Sequence, residues 1–161
     1  MTKDDATDDL PMPLPLEIRE ADEAMQAFFP DGDPTPETPL GAAFIWQAIL
    51  LNPGPTDPEA RSALDKLVVN PRDWHGYSEV AAEMENWAIM QFVIDAEDAP
   101  GELAHVKFMP DTGHVMRGFD DAPLPDVLFV TLARFPDGWW RVCGYSRNHV
   151  PPASQVWPGR P

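Results

Sequence analysis

The stretch VLFVTLARFPDGWWRVCGYS, residues 127–146, decides the fold. Its first half is rich in β-branched and aromatic side chains, which suit a pleated strand. Pro136-Asp137-Gly138 then breaks the run. Proline presets φ at the first turn position, Asp tolerates the next geometry, and Gly supplies the positive φ of a bulged three-residue loop. The return strand begins at Trp139. If Phe135 pairs with Trp139, the register follows, because side chains alternate between faces with a period of two. Leu128, Val130, Leu132, Trp140 and Val142 then share one face, interrupted only by Arg134 beside the turn, and this is the predicted core face. The opposite face carries Phe129, Thr131, Ala133, Phe135, Trp139, Arg141, Cys143 and Tyr145. It is too aromatic for a sheet surface facing water. The pattern therefore predicts a cover, which is a second copy of the chain, the C-terminal tail or a ligand.

Upstream of the hairpin, helical patterns precede strand patterns. Pro15 and the spacing of Leu16, Ile18, Ala21, Met25 and Phe28 predict a helix over 16–29 with an acidic opposite face. PDGDPTPE, residues 30–37, is a linker. Thr38-Pro39 is a helix start, and LGAAFIWQAILL, residues 40–51, has Gln47 as its one polar residue, so that helix is predicted to be buried on most sides. Thr56 and Glu59 have capping-box spacing and open a further helix with Ala60, Ala63, Leu64, Leu67 and Val68 on one face. Residues 73–77, DWHGY, form a compact aromatic turn, and Ser78 caps a short helix over 79–85. Strands are expected over 87–95, 103–109 and 114–119, before the hairpin. The divisions are an acidic tail over 1–13, a single domain over 14–150 and a proline-rich tail over 151–161. Helices first and strands second point to an α+β domain, with N-terminal helices packed on a bent antiparallel sheet, because parallel α/β folds alternate their elements.

Composition excludes several classes. Acidic residues outnumber basic ones 27 to 11, giving a net charge of −16, which opposes binding to nucleic acid or an anionic membrane. A single cysteine, Cys143, permits no internal disulfide and fits a reducing, cytoplasmic compartment. The acidic start MTKDDATDDL has no apolar run and predicts no secretory signal, and no stretch is apolar enough to span a bilayer.

Motifs for chemistry are sparse. There is no G-x-S-x-G nucleophile elbow and no glycine-rich phosphate loop. Asp111 and His114 flank a turn, but Asp there has its own local use in bonding backbone N–H groups, so no metal site and no cofactor is assigned. His105 is the residue of most interest. It lies mid-strand with Lys107 on its face, and Gln91 and Thr131 are candidates to line up beside it. With Tyr145 or Arg141 to polarise a carbonyl, His105 could act as a general base. The ordinary alternative is a strand face with unremarkable polar residues. Trp74 and Tyr77 could line a pocket mouth, although aromatic turns are more often lids on a core.

The helical stretch 39–69, the strands from 87 to 146 and above all the DGWWRV hairpin resemble the nuclear transport factor 2-like superfamily, also described as ketosteroid isomerase-like or polyketide cyclase-like. That resemblance implies a cone-like α+β fold, an interior that takes a small hydrophobic ligand, and an outer sheet face that dimerises, here through Phe129, Phe135, Trp139 and Tyr145. None of the enzymatic members' acid–base residues can be placed on this chain. Three functions follow as expectations. The first is a noncatalytic module binding a small ligand or a protein. The second is an isomerase, cyclase or dehydratase acting on a small hydrophobic carbonyl compound. The third is an acidic interaction or inhibitor protein for a basic partner.

Overall fold

Thr38 opens the first helix as the sequence predicts. Its Oγ1 accepts the Gly41 N–H at 3.0 Å, and Pro39 takes the first helical position, where the missing N–H costs nothing. In the computed structural model, residues 29, 32–111 and 126–156 are described. The chain divides into two compact units, Met1–Asp33 and Pro34–Pro161. The predicted helix over 16–29 (Phe29 apart), the strand over 114–119 and Trp157 lie outside the described residues. Everything below concerns the second unit.

Helix α1 is Pro39–Leu51. Helix α2, Pro58–Leu67, is capped one residue later than its sequence suggests: the Asp57 carboxylate, not Thr56, accepts the Ala60 N–H, leaving Pro58 at the first helical position. A 3₁₀ segment, Pro71–Tyr77, leads into α3, Ser78–Met84. Ser78 is not its cap; Tyr77 takes that place with a left-handed φ of 70° and no side-chain cap bond. The strands follow: β1 Trp87–Asp95, β2 Leu103–Pro110, β3 Leu128–Arg134 and β4 Trp140–Arg147, and a short α4 spans Ala153–Val156. The sheet order is β1-β2-β3-β4 with every pair antiparallel. The fold is α+β, with helices preceding an open antiparallel sheet.

The predicted core face is observed. Leu128, Val130, Leu132, Trp140 and Val142 join Val106 and Phe108 of β2 in one buried cluster with Trp46, Leu50, Leu64, Val80 and Met84 from the helices. Burying each such side chain is worth roughly 1.5–3 kcal/mol. Gln47, the one polar residue of α1, is buried because its amide has two acceptors. Nε2 donates to Trp87 O at 2.7 Å and Met84 O at 3.3 Å, tying α1 to the start of the sheet.

The hairpin closes where expected: Phe135 N–H donates to Trp139 O at 2.8 Å and Gly138, at φ 88°, donates to Phe135 O. Beyond the turn the register slips. Leu132 pairs with Val142 but Thr131 pairs with Gly144, so Cys143 is an extra residue. From Gly144 onward the alternation reverses. Tyr145 lies opposite Val130 and Arg147 opposite Leu128, on the helix-bearing face. Arg147 reaches Glu83 of α3 and stacks over Trp87 there. Trp139 also leaves the predicted set, packing against the helix-side core, whereas Phe135 packs against the opposite cluster. Phe129, Phe135, Trp139 and Tyr145 therefore do not share a face.

Strand β1 is irregular too. Ile89 pairs with Phe108 and Val93 with Val106, so two residues more than the partner strand supplies are looped out between them. On the far side, Val68 makes a parallel bridge to Val142, and Val69 N–H donates to Val142 O at 2.9 Å. The sheet face away from the helices is covered within the chain at one end, where Ala96, Ala99 and Ala153 bury Leu103 and Ala133.

Candidate functional site

His105 sits in the middle of β2, between Ile94 on β1 and Thr131 on β3. Its neighbours Ala104 and Val106 face the helices, so strand alternation sends its imidazole to the opposite face. That face would leave it in water were it not covered. The β1–β2 connection and the C-terminal segment close over it, and the residue is 1% exposed. Two carboxylates build the cover. Asp95 Oδ1 accepts the Gly101 N–H at 3.1 Å and shapes the β1–β2 turn, in which Gly101 takes φ 77°. Asp98 Oδ2 accepts the Ala153 N–H at 2.8 Å and pins the end of the chain.

Between these walls lies a pocket of about 510 Å³. His105 is part of its lining, with Ile94, Val150, Pro151 and Pro152 as apolar wall and Asp95, Glu97 and Asp98 as acidic wall. The His105 Nδ1 is 2.8 Å from Thr131 Oγ1, a hydroxyl that is itself fully buried. No hydrogen-bond partner for Nε2 occurs among the described residues. Burial holds the imidazole below its ordinary pKa, with the Asp98 charge pulling the other way.

That shift has a consequence for stability. A base whose folded pKa is depressed binds fewer protons folded than unfolded, so stability rises with pH across the window between the two values. Folding free energy should therefore decline as pH falls below the ordinary histidine value of 6.5. Urea unfolding at a series of pH values should show this slope in the parent and a smaller one in His105→Gln. An unchanged slope in the variant would remove His105 from the account.

The sequence reading brought five further residues toward His105, and only Thr131 arrives. Lys107 lies with its ammonium over the Phe92 ring, 5.3 Å from the centroid. Gln91 is exposed in the looped-out part of β1 and is not among the pocket's lining residues. Arg141 is held at the hairpin: its guanidinium grips Asp137 with bonds of 3.1 and 2.8 Å, donates to Lys66 O at 3.1 Å, and lies over Phe135. This ion pair takes the Asp137 carboxyl down to about 2. Tyr145 is on the other side of the sheet, and burial and then the charges of Glu83 and Glu79 push its hydroxyl up rather than toward acidity.

Trp74 and Tyr77 are also on the helix side. Trp74 Nε1 donates to Val69 O at 3.2 Å, its ring meets Trp46 edge-on at 5.9 Å and stacks on Tyr77 at 6.2 Å. Tyr77 is 1% exposed, and its hydroxyl donates to Asp65 at 2.5 Å. Burial and this bond raise its pKa well above the usual phenol range. They are a lid on the core and not the mouth of the His105 pocket. Cys143 is a packed thiol pushed up to about 12 by burial, so it is a poor nucleophile.

The residues that sequence reasoning missed are Ile94, Asp95, Glu97, Asp98 and the segment Val150–Pro152. The dense acidic run DAEDAPGE, residues 95–102, and the Pro151-Pro152 pair carried a signal, since prolines stiffen a segment that must lie flat on a sheet. A second, apolar cleft of about 380 Å³ lies between α1 and α2, lined by Ile45, Ile49, Ala63, Leu67, Pro36 and Trp139 with Lys66 and Glu59 among its polar residues. Among the described residues no group of three or more His, Cys, Asp and Glu is arranged to hold a metal ion, and no helix is long and apolar enough to cross a membrane. Comparison of the chain with protein-family models, with curated proteins and with solved structures found no match.

Proposed function

We propose that this chain is a noncatalytic binding module that takes a small ligand in the pocket over His105. The observation that carries this is a buried imidazole at the edge of a 510 Å³ pocket, with one nitrogen tied to Thr131 and the other given no partner among the described residues. Small-molecule sites are concave, partly apolar and equipped with a few placed polar groups. General acid–base catalysis needs a second group within hydrogen-bond reach of the reacting atoms. Arg141 is engaged at the turn and Tyr145 lies across the sheet, so neither of the two residues expected to polarise a carbonyl stands beside His105.

Native mass spectrometry of the protein drawn from cell extract is the test. The parent should carry a small molecule at one per chain, and Ile94→Trp, which fills the pocket from a half-buried wall position, should run at its bare mass while keeping the parent's circular-dichroism spectrum. A parent that runs bare, or that retains another protein instead, would overturn the proposal.

A further inference from the structure

The proposed function leaves the chemistry of the ligand open, and the pocket's own groups narrow it. Three acidic residues, Asp95, Glu97 and Asp98, line one side; Asp95 pairs with Ala104, so its side chain leaves β1 on the helix face, and Glu97 and Asp98 are the carboxylates left to the His105 side. Two of them each spend one oxygen on a backbone N–H, Asp95 on Gly101 and Asp98 on Ala153, which keeps those side chains in place. Among the described residues no Lys or Arg pairs with any of the three; the two ion pairs found are Arg141–Asp137 and Arg147–Glu83. The nearest strand cation by register, Lys107, rests on Phe92 instead. The wall is therefore a solvent-exposed run of negative charge that no described Lys or Arg compensates, beside the buried His105, and such a field raises the local concentration of cations.

The floor adds a directional group. With Nδ1 committed to Thr131, the His105 Nε2 is the ring's remaining hydrogen-bonding position, and the imidazole is 1% exposed. A neutral imidazole accepts at one nitrogen when the other carries the proton. If Nδ1–H donates to Thr131 Oγ1, Nε2 becomes an acceptor for an N–H donor. The remaining wall, Ile94, Val150, Pro151 and Pro152, offers apolar surface and no further charge.

Resting on the binding-module reading above, we infer that the His105 pocket takes a primary amine in its ammonium form with an apolar body. The ammonium donates to the carboxylate wall and to Nε2, and the body lies on Ile94 and the Val150–Pro152 segment. An anion would meet the like charges of Glu97 and Asp98. A neutral alcohol would keep the apolar contact but forgo charge-assisted bonds, which are roughly twice as strong as neutral ones. A metal ion would lack an arranged ligand set among the described residues.

The test uses three probes of matched shape, benzylamine, benzyl alcohol and benzoate, titrated into the full chain and followed by the NMR signals of His105 and Thr131. Benzylamine should bind at least about tenfold more tightly than benzyl alcohol, the size of one charge-assisted hydrogen bond, and benzoate should not bind. The bound-state ¹⁵N shifts of His105 should report the Nδ1–H tautomer. Glu97→Gln combined with Asp98→Asn, which keeps an acceptor for the Ala153 N–H, should erase the preference for benzylamine over benzyl alcohol, and a preference that survives the double variant would overturn the role of the carboxylates. If benzyl alcohol or benzoate binds as well as benzylamine, the amine assignment falls and the binding-module reading stands. If no probe moves these signals at millimolar concentration while native mass spectrometry still finds a retained molecule, the amine assignment again falls alone. If no probe binds and no molecule is retained, both fall.

Discussion

Trp46→Ala should destabilise the folded unit by about 3–5 kcal/mol, the range for truncating a large aromatic residue in a packed core. Trp46 is fully buried, at the centre of the helix-side cluster, and its ring meets Trp74 edge-on at 5.9 Å. Alanine would remove that pair and leave a cavity among side chains drawn from α1, α2, α3 and the sheet. A second substitution separates shape from polarity. Trp46 Nε1 is buried and has no hydrogen-bond partner among the described residues. A buried donor without an acceptor costs about 1–3 kcal/mol. Trp46→Phe deletes that donor while keeping an aromatic ring against Trp74, so it should cost less than half as much as alanine. Urea denaturation of the three proteins checks both statements, and equal losses for Phe and Ala would mean that the indole N–H is satisfied in solution.

Gly41→Ala should cost about 3 kcal/mol, an unusually large effect for adding one methyl group. Gly41 is buried in the first turn of α1, where a Cβ would stand 2.1 Å from Thr35 O, 2.9 Å from Thr38 Oγ1 and 3.0 Å from Thr35 N. The first and third of these are backbone atoms and cannot rotate away. The segment must move, and in moving it loses the Thr38 cap, worth about 1 kcal/mol, on top of an overpacking cost of about 1–3 kcal/mol. It would also pull Pro36 O away from the Trp140 N–H, a 2.7 Å bond joining the linker to β4. Gly144→Ala is the matching control: nothing lies within 4 Å of its added methyl, and its melting temperature should stay near the parent's.

The hairpin shows how far the sequence carries a reader. Alternation from the Phe135–Trp139 closure places Leu128, Val130, Leu132, Trp140 and Val142 correctly, because burial of five large side chains leaves one register tolerable. The same alternation misplaces Tyr145, since one extra residue at Cys143 inverts everything after it. Gly144 was a clue: an isolated glycine in a strand pattern often marks a bulge. Helix α1 was legible from Thr38-Pro39 and its apolar run. That Gln47 would find Met84 O and Trp87 O was not, because both acceptors lie some forty residues away. The candidate site was half legible for the same reason. His105 and Thr131 are paired by strand register, a local rule extended across a sheet. Its acidic wall and proline cover come from loops, whose path over the sheet depends on contacts such as Asp98 with Ala153 that no periodicity encodes.

The two interruptions of the ladder, at opposite margins of the sheet, bear on what a crowded solution of this protein would do. Among the described residues the sheet ends at β1 and β4, and a sheet edge whose row of backbone groups is left open is a template on which another chain can lay a strand. Here neither row is a good template. At β4, Val68 and Val69 occupy part of the row through the Val142 bridge. At β1, the looped-out residues split the row into two registered runs of three, Trp87–Ile89 and Val93–Asp95, out of step with one another. A foreign strand that matched one run would miss the other. Met90, Phe92 and Val93 are exposed there, a sticky surface by composition, yet the shift in register denies it the single continuous ladder that fibril growth requires.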